Sequence, residues 1–195
     1  RGEGVFCFGL ECHLYLSLMY SLMVWNVRRL GEKEKSAYIR TESHQLQVSL
    51  IAILEPKQPV DINFFAKRMG FSDSFHGNPF NQYIWVLWKC SVEVDWFYGS
   101  PQHISIKVKM GGSEFFVSFV YSSCDSIGRR ELWQNLDNFS AGNLAWFVVG
   151  DFNTIADALE KKGGVDYSST AMHDFNSFMA SNGLFDLGYT GGRFT

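Results

Sequence analysis

Trp146-Phe147-Val148-Val149-Gly150-Asp151-Phe152-Asn153 decides how the rest of this chain is read. Four consecutive apolar residues, two of them β-branched valines, predict a short strand buried on both faces. Gly150 ends it, and Asp151 and Asn153 then stand on the loop beyond, with Phe152 between them. A hydrophobic strand that delivers a carboxylate and an amide to its carboxyl end is a common way to build a site. The carboxylate can hold a divalent metal or orient a nucleophilic water, and the amide can donate to a phosphate oxygen. The competing reading is an Asx-type turn, in which both side chains bond local backbone.

Working outward, two other apolar runs end in the same way. Val24-Trp25-Asn26-Val27-Arg28-Arg29-Leu30-Gly31 places an amide, Asn26, at a strand terminus. Ile51-Ala52-Ile53-Leu54-Glu55-Pro56-Lys57 delivers a carboxylate, and Pro56 cannot donate to a ladder, so the strand should end at Glu55. Tyr121 closes a third run, where a phenol can donate to a phosphate or serve as an amphipathic rim residue.

The intervening segments read as scaffold. Strands are expected near residues 18–27, 46–55, 84–89, 90–97, 103–110, 115–121 and 146–151, from runs of apolar residues or strict alternation. Ile104, Ile106, Val108 and Met110 alternate with Ser105, Lys107 and Lys109, as a half-exposed strand should. Gly111-Gly112 then predicts a hairpin to the next strand. Helices are expected near residues 33–41, 62–69, 129–138 and 170–181. Gly70 and Asn182-Gly183 stop two of them, and an N-cap for the last comes from Ser168, Ser169 or Thr170. Trp85, Trp88 and Trp133 are assigned to the core rather than to ligand platforms.

The composition bounds the possibilities. The chain has 195 residues, 46% hydrophobic and 19% charged, with 4 Pro, so one domain with a sizeable core is expected and no disordered tract. A net charge of −3 gives no global argument for nucleic acid, although a local basic face is compatible with it. Cys7, Cys12, Cys90 and Cys124 form no CxxC pair and no zinc spacing, which favours a reduced, intracellular setting. Residues 5–24 are largely apolar but interrupted by Gly9, Glu11 and His13. The run of about 18 apolar residues that a membrane span needs is therefore absent, and no membrane role is expected. Residues 1–17 are expected to be a poorly defined N-terminal extension and residues 18–195 the domain. The chain opens with Arg rather than Met, as expected of a fragment or processed product.

Val148-Val149-Gly150-Asp151-Phe152-Asn153 resembles the GDFN signature of the endonuclease/exonuclease/phosphatase superfamily. The order around it is also similar: a strand ending in Trp-Asn, one ending in Leu-Glu, one ending in Val-Tyr, then GDFN. The resemblance is closest to the endonuclease domain of plant LINE-type (non-LTR) retrotransposons. Trp25–Gly31 is similar to their WNVRGLG, with Arg29 where a Gly is usual, and Leu184–Thr195 resembles their GL-x-DLGY-x-G-x-x-FT segment. The likeness runs from about Leu22 to Thr195.

The resemblance implies an α/β (α+β) chain with a two-layer β-sandwich flanked by helices. This is the endonuclease/exonuclease/phosphatase (DNase I-like) fold, here incomplete at the C-terminus. It further implies a Mg²⁺-dependent (or Mn²⁺-dependent) phosphodiesterase that nicks DNA, acts in the nucleus and needs no protein partner. By matched position Glu55 would bind the metal and Asn26 would support it. Tyr121 would contact the scissile phosphate, Asp151 would orient or activate the attacking water, and Asn153 would hold the phosphate. The family carries an Arg-x-Asp strand and a Ser-Asp-His beyond the FT segment. The sequence stops before both, and none of His13, His44, His76, His103 and His173 lies in a Ser-Asp-His. Weak or absent activity is therefore expected of this chain. Two other readings are a phosphomonoesterase or exonuclease of the same superfamily, and a non-catalytic nucleic-acid-binding remnant using Arg28-Arg29, Lys67-Arg68 and Lys161-Lys162.

Overall fold

Near-continuous burial along the central strands dictates the layering. In β-structure successive side chains face opposite sides, so a strand apolar at every position must be covered on both. The computed structural model describes residues 4–8, 11–17, 20–30, 33–57, 61–76, 82–139, 141–160, 163 and 168–187. In chain order these give β1 (Gly4–Phe8), β2 (Glu11–Ser17), β3 (Tyr20–Asn26), α1 (Lys33–Gln45), β4 (Val48–Leu54), α2 (Ile62–Met69), β5 (Asp73–His76) and β6 (Ile84–Trp88). There follow β7 (Glu93–Ser100), β8 (His103–Met110), β9 (Ser113–Tyr121), α3 (Ser126–Asp137), β10 (Ala145–Asp151), a 3-10 turn (Ala158–Glu160), α4 (Ser169–Asn182) and β11 (Leu184–Asp186).

The strands form two sheets, one ordered β11-β1-β10-β9-β8-β7 and the other β2-β3-β4-β6-β5. Their inner faces make one core. Leu22, Val24, Leu50, Ala52, Leu54, Ile84 and Val86 meet Ile104, Ile106, Val117, Phe119 and Val149 there. The alternate residues of the same strands face helices. Met23, Ile51, Ile53 and Trp85 pack on Ile39 of α1 and on Ile62, Phe65 and Met69 of α2. Phe116, Val120, Trp146 and Val148 pack on Leu132, Trp133 and Leu136 of α3 and on Phe175 and Phe178 of α4. The molecule is thus a β-sandwich with helices on both outer faces. No helix among the described residues is long and apolar enough to cross a membrane.

Most elements fall where the sequence places them, and the differences have local causes. α3 begins at Ser126 rather than Arg129 because Asp125 caps it, its carboxylate accepting the N–H of Gly128 at 2.9 Å. Ser168 is the cap of α4, accepting from Ala171. β8 is not simply half-exposed: Ser105 is buried, and its hydroxyl bonds that of Ser118 at 2.6 Å, where Trp146 Nε1 also donates at 2.9 Å. The outer face there lies under α3 and α4, so only the end of β8 carries exposed lysine.

Four strands were not expected. β1 and β2 lie within residues 1–17, where β1 pairs in parallel with β10 and β11, and β2 pairs antiparallel with β3. β5 is a four-residue edge strand on β6, and β11 has three residues. Cys12, Leu14 and Leu16 of β2 alternate with Glu11, His13, Tyr15 and Ser17, a strand pattern that reading residues 1–17 as an extension passes over, whereas β5 and β11 are too short to show one. Leu18, Gly31, the Lys161-Lys162 pair and the segment 188–195 lie outside the described residues.

Candidate active site

Parallel pairing brings the strand ends together. β3 runs parallel to β4, and β9 parallel to β10, so within each sheet two carboxyl termini share one edge. Gly150 lets β10 lie close enough to β9. It has φ 147°, and a Cβ there would stand 2.0 Å from the carbonyl oxygen of Val120. No other residue type fits. Phe152 then turns inward, buried against Trp133 and Phe175, with ring centroids 6.3 and 5.1 Å away. With Phe152 anchored, Asp151 and Asn153 on either side are left partly exposed on the loop.

Asn26, Glu55 and Asp151 meet at this edge. The amide nitrogen of Asn26 donates to Asp151 Oδ2 at 2.8 Å and lies 3.4 Å from Glu55 Oε1. Asn26 is buried, and the Glu55 side chain is only 13% exposed. The Tyr121 hydroxyl is hydrogen-bonded to Glu55, and the Lys57 ammonium pairs with Glu55 Oε2. Asn153 Nδ2 donates to the carbonyl of Ser122 at 2.7 Å, tying the loop after β10 to the loop after β9. The five residues named from sequence therefore share one end of the sandwich.

The Asx-turn reading holds for Asp151 but not for Asn153, whose side chain bonds the distant Ser122 carbonyl, while Asn26 makes a similar local turn. Asp151 Oδ1 accepts the N–H of Asn153 at 3.0 Å, and Asn26 Oδ1 accepts that of Arg28 at 3.0 Å. Each side chain spends one polar atom on its own turn and turns the other toward the shared centre. The turns orient the site.

The electrostatics follow from this geometry. Burial pushes the Glu55 carboxyl upward, but hydrogen bonds from Lys57, Tyr121 and Asn26 and the charge of Lys57 outweigh it, so its pKa lies below the usual value. Burial, the bond to Glu55 and nearby negative charge all raise the Tyr121 phenol, which stays protonated at neutral pH. Two carboxylates share a centre supplied with an ammonium, a phenol and an amide. Among the described residues no group of three or more His, Cys, Asp or Glu side chains converges. The oxygen donors here are the carboxylates of Glu55 and Asp151, with the Asn26 amide nitrogen between them.

Backbone strain is concentrated at the same place. Among the described residues the non-glycine positions with positive φ are Arg28, Arg29, Gln47, Glu55, Lys57 and Asn153, and all but Gln47 lie on the loops that build the site. Such conformations cost about 1–3 kcal/mol each and persist where surrounding structure imposes them. Here it is imposed by loop pairing: Arg29 N–H donates to the Glu55 carbonyl at 2.9 Å, and Leu30 N–H to that of Pro56 at 2.9 Å.

Several supporting residues were not read from the sequence. Gln102 Oε1 accepts the N–H of Ser123 at 2.6 Å and its Nε2 donates to Gly128 at 2.8 Å. The buried guanidinium of Arg129 donates to the carbonyls of Ser123 and Cys124 at 3.0 and 2.9 Å. Together they hold the loop after Tyr121. Lys57 has no role in the sequence reading. Its two-residue spacing from Glu55 was the available signal.

No protein-family model and no curated protein matches this sequence. Among solved structures the chain is similar to the endonuclease domain of TRAS1, a telomere-specific non-LTR retrotransposon, at 13% identity and TM-score 0.61 over 83% of this chain and 71% of that one. It is similar to an AP endonuclease from Archaeoglobus fulgidus at 13% identity and TM-score 0.59, covering 82% and 69% of the two chains. For the human Nocturnin catalytic domain with a bound sulfate anion the values are 14% and 0.57, with 89% and 74% covered. These neighbours are members of the endonuclease/exonuclease/phosphatase superfamily, and the fold of this chain is the DNase I-like fold they share.

Proposed function

We propose that this chain is a divalent-cation-dependent phosphodiesterase acting on DNA, with the carboxylates of Glu55 and Asp151 as the cation's protein contacts and Asn26 supporting them. The observation that carries the reading is the Asn26 amide nitrogen placed between the carboxylates of Glu55 and Asp151, in a centre that has also drawn in the Lys57 ammonium. A half-buried pair of carboxylates demands positive charge. Few hard oxygen donors suit Mg²⁺ or Mn²⁺ kept partly hydrated. When bound, such a cation polarises a phosphoryl oxygen and offsets charge developing in the transition state.

The remaining roles belong to the chain's own side chains. Asp151 accepts a hydrogen bond from the attacking water and so orients it. Tyr121, kept protonated, donates from its hydroxyl to a non-bridging phosphate oxygen. Asn153 uses one amide hydrogen on Ser122; an amide nitrogen carries two, so the second can meet the phosphate. Exposed Arg28, Arg29 and Lys57 line the rim and suit flanking phosphates. The names of the two endonuclease neighbours favour DNA as substrate.

The test is a substrate panel with Mg²⁺: supercoiled plasmid, a linear duplex with recessed ends, and a 5′-phosphomonoester. Open-circle product with little attack on the other two is expected. Phosphate release from the monoester alone would reassign the site to a phosphatase, and end-dependent loss of nucleotides would reassign it to an exonuclease.

A further inference from the structure

Across the end of the five-stranded sheet, three neighbouring strands place three different chemistries side by side. The loop after β3 presents Arg28 and Arg29, the loop after β4 presents Glu55 and Lys57, and the residue before β6 is Tyr83. They are physically joined. Arg29 N–H donates to the Glu55 carbonyl at 2.9 Å, and Glu55 N–H donates to the Tyr83 carbonyl at 2.8 Å. Strand separation of about 5 Å sets the step from one to the next.

Tyr83 is 45% exposed, and its ring lies 5.5 Å from that of Tyr121, inclined by 38°. Tyr121 is in turn bonded to Glu55. The Tyr83 ring is therefore positioned twice, by its backbone and by its ring neighbour, while much of its surface meets solvent. Other exposed large apolar side chains, Phe64 on α2, Ile127 on α3 and Leu159 on the 3-10 turn, lie on other elements. A held, solvent-facing aromatic ring beside a phosphate-handling centre has the chemistry of a stacking platform, because every nucleobase has a π-face.

We infer that Tyr83 seats the nucleobase adjacent to the reacting phosphate, so that the site takes an unpaired nucleotide in preference to one stacked within a duplex. The inference rests on the phosphodiesterase reading above. The cationic side of the rim takes the next phosphate, and the aromatic side takes the base. In a closed duplex that base is already stacked on its neighbours and cannot be shared.

The experiment compares the whole chain with Tyr83→Ala and Tyr83→Phe, in EDTA at low ionic strength. It measures binding of a fluorescein-labelled thymidine trinucleotide and of its all-abasic analogue. Stacking on one ring predicts that the abasic analogue binds wild type about tenfold more weakly than the trinucleotide. Tyr83→Ala should bind both equally, at the weaker level, and Tyr83→Phe should retain the difference. Plasmid hydrolysis with Mg²⁺ is followed in parallel. Equal affinity of wild type and Tyr83→Ala for the trinucleotide, with Mg²⁺-dependent hydrolysis intact, would overturn the base seat alone. A loss in Tyr83→Ala that is the same for both ligands would overturn it too, since that is a sugar-phosphate effect. Absence of both binding and hydrolysis in wild type would overturn this inference together with the function it rests on.

Discussion

Asn26 Nδ2 donates to Asp151 Oδ2 at 2.8 Å, joining the last residue of β3 to the last residue of β10 across a sequence separation of 125. This bond crosses from one sheet to the other. Removing it leaves two carboxylates facing each other without their shared donor. Asn26→Ala should therefore cost about 1.5–3 kcal/mol, the range for a hydrogen bond to a charged group. Urea unfolding measures it; a loss below about 0.5 kcal/mol would mean the bond is cosmetic.

Glu55→Gln should weaken Mn²⁺ binding more than any other single change at the site. It removes a charged oxygen ligand and abolishes the pairing with Lys57. Isothermal titration or Mn²⁺ electron paramagnetic resonance reads the affinity. Identical affinities in wild type and Glu55→Gln would remove Glu55 from the cation's contacts.

Arg29 has φ 99° where the resembling sequences use glycine. A left-handed backbone costs an L-residue roughly 1–2 kcal/mol, against about 0.5–1 kcal/mol of extra chain entropy for glycine. Arg29→Gly should consequently stabilise the chain by up to about 1 kcal/mol. The Lys35 ammonium bond to the Arg29 carbonyl, 3.2 Å long, uses backbone and survives the change. A lower urea midpoint for Arg29→Gly would show that the arginine side chain contributes more than its backbone costs.

His103 is fully buried at the start of β8, its Nδ1 2.7 Å from the Ser100 hydroxyl, and burial lowers its pKa from 6.5 to about 4. Below pH 6.5 the unfolded chain takes a proton that the folded chain refuses. Stability should be fully present above that pH and decline as pH falls toward 4, by about 2 kcal/mol between pH 7 and 5 from this group. His103→Phe should flatten that part of the profile in urea titrations. An unchanged slope in the variant would assign it to other groups.

Much of this was legible in the sequence because the strands that build the site are also the most strongly apolar. β3, β4 and β10 are covered on both faces, so their runs stood out, and Asn26, Glu55 and Asp151 closed them visibly. What stayed hidden depends on distant partners. β1 and β2 find their partners in β10, far along the chain, and in β3, which a short local run does not announce. Gln102 and Arg129 look like ordinary polar residues until their bonds to the loop after Tyr121 are seen. Tyr83 carries no sequence pattern at all, and its place comes from the Glu55 N–H and the Tyr121 ring.

The most direct measurement is conversion of supercoiled plasmid to open circle by the purified chain in Mg²⁺, beside Asp151→Ala, Glu55→Gln and an EDTA control. The account predicts slow nicking by the wild-type chain, as expected without the Ser-Asp-His, that EDTA stops. Each substitution should slow it by at least about a hundredfold, the scale of a positioned proton-transfer group. Nicking that continues undiminished in Asp151→Ala or in EDTA would contradict a single cation-dependent centre built on Asn26, Glu55 and Asp151.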